Sequence, residues 1–127
     1  MAFFCDERMH NFKELKVWQK SRGFVKEVYL VTSKFPPDER FGMTSQFGCA
    51  AVSIVLNIAE GAGKNSDMDF SRFLDNAFGS AVEVETLIYL SFDLNFVDEP
   101  TQSELLHTVT EIQKIIHSLL QRLRSKS

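Results

Sequence analysis

Long apolar runs are missing from this 127-residue chain, and none approaches the roughly 18 residues that a membrane-spanning helix requires. A transmembrane helix is excluded on that ground. The first residues, Met-Ala-Phe-Phe-Cys-Asp-Glu-Arg, lack the basic start, apolar centre and small-residue cleavage site of a secretory signal, so the expected location is cytoplasmic. Cysteine is scarce. Cys5 and Cys49 give neither zinc-ligand spacing nor a disulfide framework. Cys49 also has no neighbouring His or Lys to lower its pKa, and reads as a small core thiol. No segment alternates apolar and polar residues as a half-buried strand does.

Hydrophobic residues make up 44% of the chain and charged residues 24%, the balance of a single globular domain large enough to bury a core without staples. The net charge of -3 is unevenly spread. Residues 1–35 carry seven Lys/Arg against four Asp/Glu, whereas residues 67–98 carry one against seven. A basic helix packed beside an acidic one, within or between subunits, accounts for this pattern; the alternative is a basic nucleic-acid face, against which the net acidity weighs.

The periodicity predicts four helices, at about 12–33, 44–62, 67–94 and 101–124, preceded by a flexible segment over 1–11 and followed by a tail over 125–127. The first helix has a main stripe of Leu15, Trp18, Val25, Tyr29 and Thr32 and a second of Val17, Phe24, Val28 and Val31. Pro36 and Pro37 stop it. Thr44 is the expected N-cap of the second helix, whose face is Met43, Phe47, Ala50, Ile54 and Ile58 and whose stop is Gly61-Ala62-Gly63. Ser66 to Asp69 forms a capping box for the third helix, which carries Phe70, Leu74, Ala77, Ala81, Val84, Leu87 and Ile88 on one face. Phe78, Val82, Tyr89 and Phe92 spill beyond that face. Thr101 to Glu104 is the capping box expected for the fourth helix, with a seam of Leu105, Val109, Ile112, Ile116, Leu119 and Leu123 at coiled-coil spacing. Four helices with short breaks predict an all-α, antiparallel up-down-up-down bundle, and the surplus stripes predict contacts between copies.

Three constellations could carry function. Glu104-Leu105-Leu106-His107 has the Glu-x-x-His spacing of carboxylate-bridged metal bundles, but a second such motif is missing and Glu104, His107 and Glu111 lie off the apolar seam, so no metal or cofactor is expected. Ser53, Asn57 and Glu60 on the second helix and Ser80 and Glu83 on the third read as a buried polar network that fixes helix register. An enzyme built on Ser53, Glu60 and Glu83 is the alternative, but neither helix supplies a His base, and no activity is expected. Lys13, Lys16, Lys20 and Lys26, with Arg122, Arg124 and Lys126, are candidate contacts for phosphate backbones or a partner protein.

The segments Phe12-Lys13-Glu14-Leu15-Lys16-Val17-Trp18, Phe35-Pro36-Pro37-Asp38-Glu39, Ser53-Ile54-Val55-Leu56-Asn57-Ile58-Ala59-Glu60-Gly61 and Gly79-Ser80-Ala81-Val82-Glu83 occur in the order seen in a known family. Over about residues 12–120 the chain resembles the four-helix-bundle proteins encoded in intervening sequences of bacterial large-subunit ribosomal RNA genes. The resemblance implies a ring, a homopentamer, without enzymatic activity. The accessory proteins of diversity-generating retroelements look similar in fold, and they suggest RNA or a nucleic-acid-handling protein as partner. This sequence departs from the family at Gly48 and Cys49, where two arginines usually follow the Gln of the second helix. The departure leaves Glu60 and Glu83 in need of other partners.

Overall fold

Four stretches bury an apolar face along a helical period, and three breaks separate them. The computed structural model describes residues 11–125; residues 1–10 of the expected N-terminal segment, with Cys5, and residues 126–127 of the expected tail, with Lys126, lie outside the described residues. Helix α1 spans Lys16–Thr32, α2 Met43–Ala62, α3 Asp67–Asp93 and α4 Glu99–Ser125, with 3-10 turns at Phe12–Glu14 and Pro37–Glu39. No strand occurs among the described residues. The helices form an all-α, antiparallel up-down-up-down bundle. The broad contacts are α2 with α3 and α3 with α4, whereas α1 meets α4 along a much thinner seam.

The core explains which stripes were chosen. In α1 the buried positions are Val17, Ser21, Phe24, Val28 and Thr32, so the stripe read as secondary is the one that faces inward. Leu15, Trp18 and Val25 pack at the margin and Tyr29 is exposed. An indole N–H and a phenol hydroxyl are more readily satisfied at a wet edge than in the centre of a helix bundle. The buried seam of α4 runs Leu105, Val109, Ile112, Ile116, Leu120 and Leu123, with Leu120 taking the place expected for Leu119. A helix of 3.6 residues per turn drifts against a strict heptad, and two successive steps of four correct the drift.

Helix ends differ from the expected caps for local reasons. Leu15 is extended (φ −68°, ψ 123°), so α1 starts at Lys16 and not at Phe12. The Met43 amide donates to Glu39 Oε1 at 3.2 Å, which starts α2 one residue before Thr44. Asp98, not Thr101, caps α4: its Oδ1 accepts from the Thr101 amide at 2.9 Å. Pro100 stands in the first turn of α4, where no amide is needed. Ser66 caps α3 as its capping box predicts, Oγ accepting from the Asp69 amide at 3.1 Å. At the other end of α3, Asn95 takes the left-handed conformation (φ 64°), and the amides of Phe96 and Asn95 donate to the carbonyls of Ser91 (2.8 Å) and Phe92 (3.0 Å). This paired C-cap turns Phe96 onto Phe35, ring centroids 5.2 Å apart, and Phe35 in turn meets Phe47 at 6.2 Å.

Gly61 has a role the sequence reading assigned differently. It lies inside α2, buried against α3, and Gly63 caps the helix with an ordinary right-handed φ of −83°. A Cβ on Gly61 would stand 2.7 Å from Phe73 Cβ and 2.9 Å from Phe70 Cδ1, whereas one on Gly23 in α1 would meet nothing within 4 Å. Gly61→Ala should therefore destabilise the fold by about 1–3 kcal/mol through overpacking. Gly23→Ala should stabilise it by about 0.5–1 kcal/mol through helix propensity. Urea unfolding of both variants checks this, and equal effects would contradict it.

Candidate functional site

Antiparallel packing gives the bundle two unlike ends. The start of α1, the end of α2, the start of α3 and the end of α4 share one end; the complementary termini share the other. Basic residues gather at the first. Lys16 and Lys20 of α1 and Lys114 of α4 line a groove of about 600 Å³ with Gln19, Glu111 and Ile115, in the thin seam between the two helices. Lys20 Nζ pairs with Glu111 Oε1 at 3.0 Å. That hydrogen bond holds the Glu111 carboxyl below the ordinary glutamate range. Gln19 Nε2 donates to the Lys13 carbonyl at 2.9 Å, tying the 3-10 turn to α1. Arg22 lies over the Trp18 ring, 5.5 Å from its centroid, and Phe12 meets that ring edge-on at 5.2 Å.

The remaining basic candidates separate. Arg124 bonds Asp75 on α3 and so faces away from the groove. Arg122 is exposed in the last turns of α4, seven residues beyond Ile115 and hence on the same helical face. Lys13 is exposed at the same end, and Lys26 is exposed but does not line the groove. Lys114 was absent from the sequence-based set. The signal that could have found it is its place one turn after Glu111, opposite Lys16 and Lys20 once α1 and α4 are antiparallel neighbours.

Further along the same seam the charge reverses. Glu27, Glu104 and His107 line a second groove of about 620 Å³ with Pro100, Ser103 and Thr108. Burial, and then the nearby Glu104 charge, raises the Glu27 carboxyl above its ordinary value. His107 Nε2 lies 3.6 Å from Glu111 Oε1. No group of three or more His, Cys, Asp or Glu suited to a metal ion occurs among the described residues.

The polar set on α2 and α3 is partly united, but it is not buried. Ser53 Oγ and Ser80 Oγ are 2.8 Å apart, and Asn57 Nδ2 donates to the Ser53 carbonyl (2.9 Å) and Oγ (3.1 Å). These three residues are half-buried, while Glu60 and Glu83 are exposed. The correction has a simple cause: the α2/α3 contact is filled by Ala50, Ala51, Ile54 and Ile58, and the polar residues follow its outer rim. Glu83 Oε2 accepts from Gln46 Nε2 at 2.6 Å, so a neutral amide meets the carboxylate. Gly48 lies against the Tyr29 hydroxyl, which a Cβ would approach to 3.3 Å. Cys49 is exposed, contrary to the expected core position, and lines a groove of about 410 Å³ with Tyr29, Arg40, Phe41 and Gly48.

The family model of the 23S rRNA-intervening sequence protein matches residues 13–118, from the turn before α1 into the last third of α4. The chain belongs to this family. A structurally similar protein is a member of the S23 ribosomal protein family from Bacteroides thetaiotaomicron, of unknown function. It is 25% identical, with a TM-score of 0.77, and the match covers 82% of this chain and 97% of that one. No curated protein matches. Lys16, Lys20 and Lys114 all fall within the matched span, whereas Arg122 and Arg124 lie beyond it. No helix among the described residues is long and apolar enough to cross a membrane.

Glu27 provides a test of the seam electrostatics. Folding raises its pKa, so the folded chain holds that proton more tightly than the unfolded chain does. Its contribution to stability is fully present below the unfolded glutamate pKa and is lost as the pH rises through the raised folded value. Glu27→Gln is therefore expected to raise the Tm at pH 7, leave it nearly unchanged near pH 3 and flatten the decline between. Thermal unfolding across pH measures this, and a lower Tm at pH 7 would contradict the assignment.

Proposed function

We propose that the protein is a non-enzymatic, cytoplasmic, homo-oligomeric scaffold, a ring of five copies, that presents a basic surface to RNA or to a nucleic-acid-handling protein. The observation that carries the assembly is the exposed apolar surface. Ten large apolar side chains are exposed among the described residues, and Tyr29, Leu30, Phe41, Tyr89, Leu90, Phe92 and Leu94 all lie toward the end opposite the basic groove. Phe41 is 88% exposed. Concentrated apolar surface of this kind is the usual mark of a protein interface. Symmetric self-association can cover it while leaving the basic ends open.

The enzyme alternative has little to support it. Glu60 and Glu83 stand on the outer rim, and none of the three grooves described above is lined by Ser53, Glu60 or Glu83. A purely protein-interaction role is the second reading, favoured by the Lys20–Glu111 pair, which partly neutralises the basic groove.

Native mass spectrometry of protein purified without nuclease tests the proposal. A closed ring carrying RNA is the expected result, and a closed ring without RNA would favour the second reading. Leu30→Glu with Leu94→Glu should shift the ring toward monomer while the helical circular dichroism is retained. A stable wild-type monomer, or an unchanged mass distribution in the double variant, would contradict the assembly.

A further inference from the structure

We propose that the α1/α4 groove binds the phosphodiester backbone of single-stranded RNA, with Lys114 as an anchoring cation beside Lys16 and Lys20 and Glu111 as the side chain that restrains binding. This inference rests on the nucleic-acid arm of the function proposed above and gives it a place. In a chain of net charge -3, the groove sets three ammonium groups against one carboxylate. Lys16 and Lys20 stand about one turn, ~6 Å, apart along α1, and Lys13 lies in the 3-10 turn just before them. Arg122 extends the cationic side of α4 toward the same end. The second groove, with Glu27 and Glu104, repels an anion from the other half of the seam, so the polyanion is confined to the lysine-lined half.

The groove, of about 600 Å³ with Ile115 among its lining residues, offers the kind of positively charged track that follows the backbone of a single strand. It draws cations from two helices, as a strand passing between them requires. Lys20 is held by Glu111 at 3.0 Å, and a phosphate must compete for it. The restraint gives the site a signature that a merely solvated lysine face lacks: removing the carboxylate should strengthen binding.

The test is fluorescence anisotropy of a labelled oligouridylate with the full chain, at salt concentrations from about 50 to 200 mM. Neutralising three phosphates of a single strand corresponds to a logarithmic salt slope of about −2, and Lys16→Gln with Lys20→Gln and Lys114→Gln should flatten it and weaken binding about tenfold or more at low salt. Lys114→Gln alone should weaken binding about threefold to fivefold, whereas Lys26→Gln should not change it. Glu111→Gln should tighten binding by about twofold to fivefold. Wild-type binding that is indifferent to Lys114→Gln and Glu111→Gln would overturn the site while leaving RNA binding intact. No wild-type binding at low salt would overturn the nucleic-acid arm itself. Inorganic tripolyphosphate binding as tightly as RNA, with the same dependence on these residues, would overturn the assignment to an RNA strand.

Discussion

The close approach of α2 to α3 is the constraint on which the bundle depends. Ala50, Ala51, Gly61 and Ala62 keep the surface of α2 thin, and Phe47, Ile54 and Ile58 fill the space between the small residues. At Gly61 the approach is so tight that Phe70 and Phe73 occupy the space of a missing side chain. Dispersion contacts at this density are individually small and collectively large, and any gap forfeits them. With one side of the bundle drawn tight, α4 packs broadly on α3, and α1 closes the bundle against α2 with only a thin contact to α4. The open seam is a consequence of where the small residues were placed.

That asymmetry separates the surfaces. The α2/α3 rim carries Ser53, Asn57 and Ser80 in a hydrogen-bonded cluster that joins the two helices without needing burial. The α1/α4 seam holds the long charged side chains, basic at one end and acidic toward the other. Exposed aromatic and aliphatic side chains gather at the end closed by Phe35, Phe47 and Phe96. On the proposed function, self-association at one end and an anionic partner at the other would not compete for surface, and a ring would multiply weak groove contacts into avidity.

Much of this was legible in the sequence wherever one physical effect dominated. The seam of α4 could be followed because its apolar spacing was nearly unbroken, and the family resemblance agreed with the fold. The stripe of α1 was misjudged because Val17, Phe24 and Val28 lie one residue before Trp18, Val25 and Tyr29, two adjacent faces of similar hydrophobicity that only the packing of the neighbours could rank. Glu60 and Glu83 were expected inside because their neighbours in sequence are small or apolar, but a position on a helix does not say whether it meets the centre or the rim of a contact. Lys114 was overlooked because the groove it lines is completed by residues nearly a hundred positions away. Gly61 looked like a helix stop because glycine usually is one near a helix end, while its steric role depends on Phe70 and Phe73 of the next helix.

The separation of surfaces is the central claim, and amide hydrogen exchange followed by mass spectrometry, with and without an oligouridylate, tests it most directly. The account predicts protection on assembly in the last turns of α1 and α3 and around Phe41, and a second, RNA-dependent protection at the start of α1 and at residues 111–115 of α4. RNA-dependent protection centred on the α2/α3 rim around Ser53 and Ser80, or assembly-dependent protection at the basic groove, would contradict it.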